Sequence, residues 1–222
     1  MVFDTRSLKG MIIDLVLDFD IYSGSLSYIT ANLMLDYIDS HHLNIDWVIE
    51  THTHADHVTF SQFFKNKLGD IPVRILATPG HTPDSICILV DGNVFVGDTL
   101  FMPDGGTARC DSPDGNASQL YHSIQRIFEL GDDLQLWMCH DYQPHGRELV
   151  YKTTVSEQKK YNVHLKHNTS QHDYVSLREQ RDNTLSAPIL LLSAIQINVN
   201  AGILPVDENN KLSFIKIPLT IA

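Results

Sequence analysis

Four places in this 222-residue chain carry side chains that can bind a metal at the end of an apolar run. "DWVIETHTHADH" delivers His52, His54, Asp56 and His57, "RILATPGH" delivers His81, "NVFVGD" delivers Asp98, and "LQLWMCH" delivers His140. Histidine and carboxylate are the usual nitrogen and oxygen ligands of zinc, iron and manganese. A ligand needs rigid support, and a loop directly after a buried strand provides it. A single histidine at a strand end is most often a hydrogen-bonded core or surface residue. Seven ligand-type residues at four strand ends are not explained that way. His41, His42, His122, His145, His164, His167 and His172 do not end apolar strands and are read as ordinary polar residues, with His145 the nearest to the set because it follows His140 so closely.

The elements that must position these residues follow from hydrophobic period and turn chemistry. "MIIDLV" reads as one buried strand, and "SLSYITANLMLDYIDSHH" as a helix with Leu26, Ile29, Leu33 and Tyr37 on its inner face and Ser25 as its cap. "DWVIE" is a short buried strand, "FSQFFKNKL" a short helix, and "VRILATPGHT" a strand that stops at Pro79-Gly80. "SICILV" and "NVFVGD" form a hairpin through Asp91-Gly92. "LYHSIQRIFEL" is an amphipathic helix and "LQLWMCH" a strand. From Thr153 the chain is mostly helical and polar until the apolar run "APILLLSAIQI". Apolar strands ending in polar residues, mixed with helices, predict a layered α/β sandwich with its site at the strand ends.

Composition narrows the partners. The formal net charge is -11 with only 16 lysines and arginines, and no basic stripe tracks a phosphate backbone, so nucleic acid is excluded. Hydrophobic residues make up 43% of the chain, enough for a packed core. Cys87, Cys110 and Cys139 are odd in number and form no CxxC pair; each is read as a small buried side chain. No secretory pattern opens the chain and no apolar run is long enough for a bilayer, so a soluble, cytoplasmic setting without membrane contact is expected.

"HTHADH", "GHT", "GDTL" and "HD", in that order, resemble the metallo-β-lactamase superfamily. The resemblance implies its αββα sandwich, here as one domain over residues 1–222 with a helical and irregular extension from about residue 151. "IIDLVLDFD", "GDTLFMPDGGTARCD", "CHDY", "TTVSEQKKYNVHL" and the tail "SAIQINVNAGILP" with "LSFIKIPL" resemble the persulfide dioxygenase branch and its bacterial β-lactamase-like hydrolase group, which is similar to glyoxalase II in fold. Members of that branch oxidise glutathione persulfide with dioxygen to sulfite and glutathione on one ferrous iron. Carried onto this chain, the ligands are His52, His81 and Asp98, a facial set that leaves open positions for sulfur and dioxygen. His54, Asp56, His57 and His140 become a second metal site or an outer hydrogen-bonding shell. Asp56, Arg109 and Tyr142 are the candidate catalytic residues. Arg109 either positions substrate or fixes its loop, and Tyr142 either bonds near the iron or packs in the core. Asp18 and Asp20 are read as fixing the loop that follows them.

The chain departs from the branch in two places. Gly69-Asp70 runs straight into "IPVRILATPGHT" where relatives carry several tens of residues, and "VFDTRS" leads almost directly into "LKGMIID". The fold is therefore expected to be shortened in its first half. Exposed strand edges then favour a homo-oligomer. Two other functions compete with the iron dioxygenase. One is a glyoxalase-II-like thioester hydrolase with two metals, zinc among them, in which Asp98 bridges. The other is a binding remnant without turnover.

Overall fold

The computed structural model describes residues 1–59, 73–207 and 210–217. The predicted "FSQFFKNKL" helix lies outside the described residues. In chain order the elements are β1 (Val2–Phe3), β2 (Lys9–Ile13), β3 (Val16–Asp20), β4 (Ser25–Ser27), α1 (Ile29–Ser40), β5 (Asn44–Ile49), β6 (Val58–Thr59), β7 (Val73–Ala77), β8 (Ile86–Val90), β9 (Asn93–Phe95), α2 (Ala117–Phe128), β10 (Gln135–Trp137), β11 (Lys152–Thr154), α3 (Val155–Tyr161), α4 (Gln171–Asp182) and α5 (Leu191–Asn198). They fall into two compact units, Met1–Ile71 with Ser186–Ala222, and Pro72–Leu185.

The first unit holds two three-stranded sheets, ordered β1-β2-β5 and β4-β3-β6. β2 and β5 run parallel; the other pairings are antiparallel. Ile12, Leu15, Ile38 and Leu43 form one core cluster, and Leu17, Val58 and Ile197 another. Three readings of this region need correction. The run "MIIDLV" is two strands rather than one, because Asp14 takes a left-handed backbone (φ 53°) between β2 and β3. Aspartate tolerates that conformation better than most side chains, and the turn aims its carboxylate at the Thr51–His54 loop. Ser25 does not cap α1, since Ser25–Ser27 is spent on β4; Asp18 instead accepts from Thr30 N (2.9 Å) and Thr30 Oγ1 (2.6 Å) at the helix start. The inner face of α1 is Ala31 and Ile38 with Met34 beside them, whereas Ile29 and Leu33 are each 67% exposed and Tyr37 is exposed too. Leu26, counted as the first of that face, sits in β4 and packs on the Leu17–Val58 cluster, so the assumed helical row never begins. Asp20 fixes the next turn as expected, accepting from Tyr22 N and Ser23 Oγ.

The second unit is a five-stranded sheet ordered β11-β10-β9-β8-β7, with only β9 and β10 parallel. Asp91 (φ 44°) and Gly92 (φ 75°) make the β8–β9 turn, as their pairing predicts. α2 buries Leu120, Ile124, Ile127 and Phe128 against Val94 and Leu136 of the sheet, and Asn116 caps it by accepting from Gln119 N at 2.9 Å. α3 opens with a reciprocal capping box between Thr154 and Glu157. The residues after 151 divide between the units: β11, α3 and α4 belong to the second, and α5 returns to the first. Cys87 and Cys110 are buried as expected, but Cys139 is exposed, because β10 ends two residues before it. Among the described residues no helix is long and apolar enough to cross a membrane.

Candidate metal centre

In the first unit the "THTHADH" loop joins β5 to β6 and is held from both sides. Asp14 accepts from Thr51 N (2.7 Å), Thr51 Oγ1 (2.9 Å) and His54 Nε2 (3.1 Å). Asn198, at the end of α5, donates to the carbonyls of His54 (2.8 Å) and His57 (2.7 Å) and accepts from Thr59 N (2.8 Å). A loop with its carbonyls bonded this way holds its backbone, and with it the starting points of its imidazoles, in place. His52 is buried, with Nδ1 against Thr51 Oγ1 at 3.0 Å. His54 is clamped at Nε2 by Asp14 and by Glu50 (3.1 Å). Burial opposes its charge, but hydrogen bonds to those two carboxylates outweigh burial and raise its pKa to about 10. Burial likewise opposes the charge of Asp14, and the bonds from His54 and Thr51 hold it at about 2. Among the described residues, His54 Nδ1 and His57 Nε2 are buried with no hydrogen-bond partner. Glu50, His54 and His57 bring ligand atoms within 4.8 Å of one another. Asp56 is exposed, with Oδ1 3.3 Å from His57 Nδ1.

In the second unit three strand ends converge. Gly80, with φ +145°, ends the β7 turn and precedes His81. His81 Nδ1 donates to the Arg109 carbonyl at 2.7 Å, which leaves Nε2 as the lone-pair nitrogen. Asp98 stands on a 3-10 turn (Gly97–Thr99) that follows β9, with Oδ2 3.8 Å from His81 Nε2 and Oδ1 3.4 Å from His140 Nε2. The structure thus brings His81, Asp98 and His140 together, and His52, His54, Asp56 and His57 together. His145 is exposed. Asp141, the aspartate of "HD", is an organiser of its loop: Arg147 binds it and Asp104 at once, and the Arg147 hydrogen bonds hold the Asp141 carboxyl at about 2.

The loop after Asp98 is braced by α4. Arg178, 1% exposed, donates to Asp182 Oδ1 (3.0 and 2.7 Å) and to the Thr107 carbonyl (2.9 Å), while Asp182 Oδ2 accepts from Cys110 N (2.8 Å). Arg109, between those two anchors, makes a two-pronged ion pair with Asp111 at 2.6 and 2.5 Å. Tyr142 is 64% exposed, so core packing does not account for it; its ring meets Phe101 edge-on at 5.1 Å. His81, Asp98, Phe101, Arg109, Tyr142 and Arg181 all line a cavity of about 290 Å³ in this unit.

His164 accepts from Thr107 N at 2.9 Å, which requires a neutral imidazole, and burial with the charges of Arg178 and Arg181 lowers its pKa to about 4. Its unfolded value lies near 6.5. Between these values only the unfolded chain takes the proton, so this residue costs stability as pH falls from about 6.5 to about 4. His164→Asn keeps an acceptor without titrating. Denaturation at pH 7 and pH 5 should show the wild type losing more stability than the variant, by a fraction of the roughly 1.4 kcal/mol per pH unit that one full proton carries, because the group is partly solvated.

The family model of the metallo-beta-lactamase superfamily matches residues 60–140. "Glyoxylase B2" of Dictyostelium discoideum is 34% identical over an alignment covering 99% of this chain and 91% of that protein. The chain belongs to the metallo-beta-lactamase superfamily. Its α/β fold is that of the superfamily: ETHE1 from Myxococcus xanthus superposes with a TM-score of 0.74 and 29% identity, covering 91% of this chain and 92% of that one. A "Beta-lactamase hydrolase-like protein" of Agrobacterium fabrum is 38% identical over the whole chain, which spans 62% of that protein's length. The alignment to Glyoxylase B2 runs to 267 positions, more than the 222 residues here, so residues of that relative stand opposite gaps.

The residues of this chain fit a bound cation. In the second unit, an Nε2 freed by a carbonyl-bound Nδ1 and a carboxylate between two histidines are the donor chemistry that a divalent metal uses. Glu50, Asn198 and the Arg178–Asp182 brace escaped sequence reasoning. Glu50 directly precedes the histidine loop and could have been found there; the others lie far along the chain and carry no local signal.

Proposed function

We propose that this chain is an iron-dependent dioxygenase that oxidises glutathione persulfide to sulfite and glutathione. The observation that carries the reading is the double clamp on His54 Nε2 by Asp14 and Glu50. Held there, His54 reads as a support for the loop, beside the ligand set His52, His81 and Asp98 that the family resemblance implies. The motifs shared with the persulfide dioxygenase branch and the likeness to ETHE1 support it. Bound ferrous iron would supply open coordination positions for a thiolate-type sulfur and dioxygen and the electron transfer between them. The chain's own residues do the rest. The Arg109 carbonyl fixes the His81 tautomer, and Phe101 and Tyr142 wall the cavity beside Asp98.

One observation favours a second reading. The buried, unbonded His54 Nδ1 and His57 Nε2 are suited to a further metal, as a two-metal thioester hydrolase of the glyoxalase II kind would require. Elemental analysis of anaerobically purified protein, with an oxygen electrode and glutathione persulfide, separates the two. One iron per chain and persulfide-dependent oxygen uptake are expected. Two zinc ions per chain from iron-replete cells, with thioester cleavage and no oxygen uptake, would replace this reading with the hydrolase.

A further inference from the structure

We propose that Arg181 is the residue that receives a carboxylate of the thiol substrate, and so sets selectivity for anionic thiols; this rests on the proposed glutathione-type substrate. Three arginines line the cavity that contains His81 and Asp98. Two of them are already committed. Arg178 is buried and bonded to Asp182 and the Thr107 carbonyl, and both prongs of Arg109 hold Asp111. Arg181 lies three residues after Arg178, on the same face of α4, and is exposed at the cavity. Among the described residues its guanidinium has no carboxylate at ion-pair distance. Among the described residues, Asp98 is the only acidic one in the cavity wall, and the proposed function uses it as a ligand.

The charge balance gives this site its meaning. A chain with a formal net charge of -11 repels an anionic substrate at long range. Binding then depends on a local cation whose charge is not cancelled by its neighbours. A planar guanidinium can take a carboxylate by two parallel hydrogen bonds. Phe101 and Leu185 give the same cavity apolar wall for the thiol's carbon chain. The cavity, about 290 Å³, is at the lower end of the size range of small-molecule sites.

The test is a calorimetric titration of the metal-loaded, full-length protein under argon, with glutathione and with glutathione diethyl ester, for the wild type, Arg181→Gln and Arg181→Lys. Arg181→Gln should weaken glutathione binding by roughly tenfold or more, the usual worth of a charge-assisted bond. It should leave the diester, iron content and melting temperature unchanged, and Arg181→Lys should retain part of the affinity. The assignment is overturned if the wild type binds both ligands equally, if it binds no glutathione, or if Arg181→Gln keeps the wild-type glutathione affinity. If the expected pattern appears but glutathione persulfide drives no oxygen uptake, the dioxygenase reading fails and the role of Arg181 stands.

Discussion

Alanine at His81 or at Asp98 is expected to empty the metal centre and to lower turnover by more than about a hundredfold, since loss of a mere hydrogen-bonding neighbour of a ligand already costs 10- to 100-fold. His81 stands in a built position, with its Nδ1 committed to the Arg109 carbonyl and its Nε2 near Asp98. His145→Ala should change neither metal content nor rate, because that residue is exposed on a separate turn. His54→Ala divides the one-metal from the two-metal reading. If His54 only supports its loop, iron stays bound and the rate drops; if it is a ligand, half the metal is lost. Metal analysis by mass spectrometry, paired with oxygen uptake, reads all four variants. Full metal content in His81→Ala would end the ligand assignment.

The second large effect lies at a glycine. A Cβ on Gly80 would stand 2.4 Å from the backbone nitrogen and Cα of Leu120, and φ +145° disfavours any L side chain there. Helix α2 presses on this turn: Asn116 N donates to the Gly80 carbonyl (2.7 Å) and Ser123 Oγ to the Pro79 carbonyl (2.7 Å). Gly80→Ala should therefore cost about 3 kcal/mol or more, combining overpacking with backbone strain. It should also displace His81 and lower metal affinity. Gly92→Ala is the control. It shares a positive φ but meets nothing within 4 Å, so only about 1 kcal/mol of conformational cost is expected. Urea denaturation of both variants gives the comparison, and equal midpoints would refute the packing argument.

These two variants also mark what can be read from the chain alone. The position of His81 after Pro79-Gly80, and of Asp98 after an apolar strand, is local information, and the hairpin at Asp91-Gly92 is too. Their elements formed where turn chemistry placed them. The face of α1 was not legible, because Ile29, Leu33 and Tyr37 obey helical spacing as well as Ala31, Met34 and Ile38 do, and only the surrounding sheets choose between two such rows. The break at Asp14 was hidden for a related reason. An aspartate inside an apolar run looks like a polar interruption until Thr51 and His54, some forty residues away, are known to need it. Asn198 is the extreme case, reaching loop carbonyls more than 140 residues earlier in the chain.

The brace between α4 and the loop after Asp98 has a consequence for how such chains are inventoried. Every ligand motif lies before residue 141, yet the Thr107 carbonyl and the Cys110 amide find their partners at Arg178 and Asp182. A gene fragment ending near residue 150 would pass any motif scan as a complete member of its superfamily. It would nonetheless carry two orphaned backbone groups and a loosened wall next to the candidate ligands His81 and Asp98. A test of whether such a chain is whole should therefore look for the "REQRD" helix as well as the motifs.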